Sequence, residues 1–174
     1  MQRNIIKQLI KPRRLEVEEV TGNYGKFVAA PLERGYGTTI GNSLRRILLS
    51  SLPGAAIVAV RMENVKHEFS TIPGCFEDVT EIVLNLKEVV LDLGDKEVAN
   101  LRLDAKGPCE VTAGMITGDV NCHVVNADLH IASLNEEGEL HFEIQAKSGR
   151  GYVPAENFKE ENAPIGTIVL DASF

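Results

Sequence analysis

The stretch PLERGYGTTIGNSLRRILLSSLPG, residues 31–54, brings glycine punctuation, a helix start, an apolar stripe and an arginine pair into one short run. Gly35, Gly37 and Gly41 permit unusual backbone angles, and Thr38 and Thr39 carry hydroxyls able to accept from the N–H groups of a first helical turn. A helix is therefore expected to begin near Thr39 and to stop at Pro53-Gly54. Ile40, Leu44, Ile47 and Leu48 follow the i, i+4, i+7, i+8 spacing of one buried face. At about 100° per residue, Leu49 lies opposite Ile40 among Asn42, Arg45 and Arg46, which gives the helix a second face.

Outward from that stretch, size and composition narrow the classes. A chain of 174 residues can bury one ample core or two small ones without a covalent staple. Its 44% apolar and 25% charged residues are those of a globular protein, and no apolar run approaches the ~20 residues of a membrane span. The amino-terminal MQRNIIKQLIKPRR lacks the apolar core of a secretory signal, so a cytoplasmic protein is expected. Cys75, Cys109 and Cys122 are odd in number and widely spaced, which indicates neither a disulfide framework nor a zinc knuckle. The net charge of −7 opposes broad attraction to nucleic acid.

The remaining texture is mostly strand. Leu15 to Val20 and Tyr24 to Ala30 flank a Thr21-Gly22-Asn23 turn. Beyond Pro53, extended segments are predicted over 56–62, 65–69, 89–93, 98–103, 123–125, 129–132, 140–146 and 165–170. Leu140, Phe142, Ile144 and Ala146 alternate with His141, Glu143, Gln145 and Lys147, the pattern of a half-buried antiparallel strand. A second helix is predicted over 76–87, with Phe76, Val79, Ile82, Val83 and Leu86 inward and Glu77, Asp78 and Glu81 crowding its start, where the helix dipole favours them. Residues 148–154 read as an interruption and 156–162 as an acidic loop.

No constellation points to catalysis. Gly35-x-Gly37-x-x-x-Gly41 misses GxGxxG by one residue and lacks the GK[ST] ending of a P-loop, so its glycines read as a sharp turn and a close approach to a neighbour. His67, His123, His130 and His141 fall in strand-like segments without metal-ligand spacing, and no cofactor is expected. The alternative kept open is a small β-rich protein holding a phosphate-containing ligand at the Gly35–Gly41 loop. Arg45 and Arg46 beside Leu49 have the composition of an interface hot spot.

Five ordered blocks, LERGYGTTIGNSLRRILLSSLPG (32–54), HEFSTIPG (67–74), EDVTEIVLNLK (77–87), GRGYVPA (149–155) and PIGTIVLDA (164–172), closely resemble the alpha-subunit family of bacterial-type RNA polymerase. The resemblance implies an α+β fold: a mixed assembly, or dimerisation, subdomain begun by residues 1–52, with a β-rich antiparallel subdomain inserted over 53–172. Residues 173–174 would start the return, the rest of that subdomain and a carboxy-terminal DNA-binding domain lying outside this sequence. It further implies a non-catalytic subunit of a nucleotidyltransferase complex, working in transcription in the bacterial cytosol or nucleoid, or in a plastid. Its implied partners are a second alpha copy and the beta and beta-prime subunits, with no nucleic acid or membrane bound by this region. By residue match, Arg45, Arg46 and Leu49 face beta; Lys87, Leu170 and Asp171 face the large subunits, principally beta-prime; Ile40, Leu44, Ile47 and Leu48 face the dimer partner.

Overall fold

The computed structural model describes residues 9–22, 24–118, 120–159 and 163–174. It divides into two compact units, one running to Leu49 and the other covering Ser50–Phe174. In the first, β1 (Leu15–Val20) and β2 (Gly25–Ala29) form an antiparallel hairpin, closed where Thr21 donates to the Tyr24 carbonyl; Asn23 of the predicted turn lies outside the described residues. The hairpin leads to α1 (Tyr36–Ser51), whose last residues cross into the second unit. Pairing sets Leu15 opposite Ala29 and Val17 opposite Phe27, which gives the hairpin one apolar face.

The second unit is built on a five-stranded antiparallel sheet in the order β12, β3, β10, β5, β7, formed by Thr167–Val169, Pro53–Met62, Glu139–Arg150, Val98–Lys106 and Ile116–Gly118. The long strand β10 holds it together, because Phe142 lies opposite both Met62 and Leu103, and Ile144 opposite both Val60 and Leu101. Its inward residues Leu140, Phe142, Ile144 and Ala146 are buried, as the alternation predicts. The helix α2 (Val79–Lys87) packs Val79, Ile82 and Leu86 into the same core. Shorter strands complete the unit as pairs: β4 (Leu91–Asp92) with β8 (His123–Val124), β6 (Cys109–Thr112) with β9 (His130–Leu134), and β11 (Tyr152–Val153) with β13 (Ala172–Ser173). Two helices with antiparallel sheets make the α+β class predicted above.

Three local expectations are corrected. Residues 65–69 are not a strand: Asn64 takes a left-handed φ of 63°, Val65 drops its side chain into the core, and His67 leaves the set of strand histidines. Helix α2 starts at Val79 rather than Phe76, because Asp78 accepts from the Glu81 N–H while the Glu81 carboxylate accepts from the Asp78 N–H, a closed capping box. Residues 148–154 do not interrupt the sheet, since β10 runs on to Arg150 and pairs Gly149 with Gly54. The acidic stretch after Pro154 carries a 3-10 turn over Ala155–Phe158, and its residues 160–162 lie outside the described ones.

Candidate functional site

Helix α1 opens three residues earlier than the threonines predict. Gly35 takes a φ of 88°, a conformation that favours glycine, and Tyr36 donates to the Glu33 carbonyl at 3.0 Å to close the turn. The Thr39 hydroxyl then donates back to the Gly35 carbonyl at 3.3 Å instead of accepting from the first turn. Gly41 meets nothing within 4 Å of where a side chain would begin, so its expected close neighbour is absent among the described residues.

The two helix faces exist, but neither is buried. Ile40, Leu44, Ile47 and Leu48 are 42–57% exposed, and Leu49 on the opposite side is 72% exposed beside exposed Arg45 and Arg46. The expectation of a buried face is thus corrected: among the described residues up to Leu49 none is fully buried, and Leu15, Val17 and Phe27 of the hairpin are more than half exposed as well. A lone amphipathic helix and a two-stranded ribbon draw their stability mainly from packing against something else. Covering the four stripe residues would contribute about 1 kcal/mol each.

The second predicted set is brought together in the other unit. Lys87, last residue of α2, places its Nζ 2.9 Å from Asp171 Oδ1, and this hydrogen bond, ahead of one from Tyr152, holds the Asp171 carboxyl below its ordinary range. Both side chains are about a third exposed, so the pair is worth under about 1 kcal/mol to stability. Leu170 differs from its neighbour. It is 4% exposed and sits in the core, with its N–H donating to the Val58 carbonyl, so its side chain is not on offer to a partner.

One cluster was not legible from spacing. Glu77, read above as a dipole partner, instead lies outside α2 and ties β9 to it: Oε2 accepts from the Ser133 N–H at 2.7 Å, and Oε1 accepts from the Ser133 hydroxyl at 3.1 Å and lies 2.9 Å from His130 Nε2. Burial alone would raise this carboxyl, but the Ser133 N–H and the His130 ring outweigh it and hold Glu77 at about 2. A carboxylate lowered from 4.5 stabilises the fold fully above that value and loses the contribution as pH falls through about 2. We expect Glu77→Ala to cost about 2 kcal/mol in urea unfolding at pH 7 and a small fraction of that at pH 2, where the carboxyl is about half protonated. Equal losses at both values would rule out the ionised carboxylate as the cause.

Among the described residues no group of three or more His, Cys, Asp or Glu has a geometry able to hold a metal ion, and no helix is long and apolar enough to cross a membrane. Cys75, Cys109 and Cys122 form no disulfide with one another. Among the described residues, five cavities have walls drawn only from Ser50–Phe174, and residues 35–41 line none of these five.

Residues 59–174 match the family described as the RNA polymerase Rpb3/RpoA insert domain. The chain is 53% identical over 169 residues to the DNA-directed RNA polymerase subunit alpha of Alkaliphilus metalliredigens, covering 96% of this chain and 53% of that one. It is 52% identical over 166 residues to the same subunit of Limosilactobacillus reuteri, with 94% and 52% covered. Against that of Symbiobacterium thermophilum it is 57% identical over 152 residues, with 87% and 48% covered. The chain spans about half the length of the curated relatives it matches. With the insert-domain match running from within β3 to Phe174 and about half of the aligned residues identical to these relatives, the chain belongs to the alpha-subunit family of DNA-directed RNA polymerase.

Proposed function

We propose that this chain is a non-catalytic assembly element of DNA-directed RNA polymerase in the bacterial cytosol, joining a second alpha copy and the large beta and beta-prime subunits. The observation that carries this reading is α1: one helix with an apolar stripe on one side, Arg45, Arg46 and Leu49 on the other, and no buried residue on either. The stripe of Ile40, Leu44, Ile47 and Leu48 serves the alpha copy, and the arginine face serves beta. Lys87 and Asp171, joined at the surface, serve beta-prime, with Leu170 supporting them from beneath.

The division into an assembly subdomain over 1–52 and an insert over 53–172 has physical support in how the second unit begins and ends. A side-chain carbon at Gly54, near the start of β3, would come within 2.7 Å of the Phe174 backbone. Gly54 and Phe174 thus lie side by side, an arrangement that suits a domain inserted into a host.

The test is capture of the beta subunit by this chain in co-expression. Arg46→Ala and Leu49→Ala are each expected to weaken capture by about 2 kcal/mol, roughly 30-fold, with the circular dichroism spectrum unchanged. Wild-type capture by both variants would remove the arginine face from the beta contact.

A further inference from the structure

His130, at the start of β9, has a carboxylate at each ring nitrogen: Nε2 lies 2.9 Å from Glu77 Oε1 and Nδ1 lies 3.1 Å from Glu110 Oε1. A neutral imidazole offers one donor and one lone pair, while a carboxylate only accepts. Both contacts are therefore hydrogen bonds at once only when both nitrogens carry protons. We infer that His130 is a proton-dependent clamp, which as an imidazolium bridges the Glu77 carboxylate ahead of α2 and the Glu110 carboxylate on β6, and on losing one ring proton releases the Glu110 side chain while the backbone pairing of β6 with β9 stays.

The surroundings decide which link is lost. Glu77 precedes α2, is 18% exposed and is fixed by two further bonds from Ser133, whereas Glu110 on β6 is 71% exposed. Glu81, in the first turn of α2, faces the same shallow cavity of about 410 Å³, whose other walls are Phe76, Glu77, Leu84, Asn85 and His130. Among those wall residues His130 is the only group able to carry positive charge, set against Glu77 and Glu81 there and Glu110 behind it. The better anchored Glu77 keeps the remaining proton, so water takes the one on Nδ1 and Glu110 comes away. The hydrogen bond to Glu77 first, and the weaker one to Glu110, raise His130 above its ordinary 6.5, in the direction this arrangement requires. A histidine raised in the folded state stabilises below 6.5 and loses that contribution as pH rises through its folded value.

The test is a pH titration of the full chain labelled with nitrogen-15 at histidine, read through the ring nitrogens. We expect His130 to titrate with a midpoint above 6.5, to be more than half doubly protonated at that pH, and to end as the tautomer protonated on Nε2. Glu110→Gln, at an exposed position that leaves the fold intact, should lower the protonation constant about threefold or more. A midpoint at or below 6.5, a final proton on Nδ1, or a Glu110→Gln midpoint equal to wild type would each overturn the clamp.

Discussion

Phe142→Ala is expected to destabilise the Ser50–Phe174 unit by about 3–5 kcal/mol and to lower its melting temperature by about 10–20 °C. Phe142 is 2% exposed in the central strand of the five, with Met62 on one side and Leu103 on the other, each itself at most 2% exposed. Removing its ring leaves a cavity that neither β3 nor β5 can close, since each is fixed in register by its pairing with β10. Phe76→Ala is the contrast. That ring is 78% exposed, so its loss should stay within about 0.5 kcal/mol. Calorimetry of the two variants tests the placement of the core: a loss under about 1 kcal/mol at Phe142 would show that β10 does not lie at its centre.

The two phenylalanines also show what a sequence reveals and what it does not. Phe142 was legible because strict alternation over 140–146 sorts a strand into an inner and an outer face, a local property the tertiary fold only has to accept. Phe76 was misplaced because helical spacing extends backwards past the true start, while the Asp78–Glu81 capping box, itself present in the sequence as D-x-x-E, sets the first turn. The strands β6, β7, β11 and β13 went unread. They are two to four residues long, and nothing local marks them; Cys109 is a strand residue because Leu134 pairs with it.

The candidate site divides in the same way. Two faces on α1 follow from the angle per residue, and the structure keeps Ile40 and Leu49 on a helix running from Tyr36 to Ser51. Whether either face is covered depends on atoms far along the chain or outside it, which periodicity cannot express. The clamp at His130 joins residues 53 and 20 positions apart, so no spacing rule reaches it. Leu170 and Asp171 read alike by resemblance, yet one points into the core and the other pairs with Lys87 at the surface.

Leu44→Asp should weaken self-association of the chain by on the order of 100-fold or more, the largest effect expected on the proposed assembly role. Leu44 lies in the middle of the stripe between Ile40 and Ile47, and at 54% exposure it has little of its own unit to lose. On an open helix face the change is therefore tolerated, and the core around Phe142 is untouched. In a paired face the same carboxylate would be driven from water into leucine and isoleucine, costing several kcal/mol beyond the roughly 1 kcal/mol of packing removed. Sedimentation velocity over a range of concentrations separates the two faces. Leu44→Asp should stay monomeric where wild type forms dimers, while Leu49→Ala, on the far side of α1, should dimerise within about threefold of wild type. Equal dimerisation by wild type and Leu44→Asp would remove the stripe from the contact, and a wild-type chain monomeric at every concentration would assign its cover to something other than a second copy.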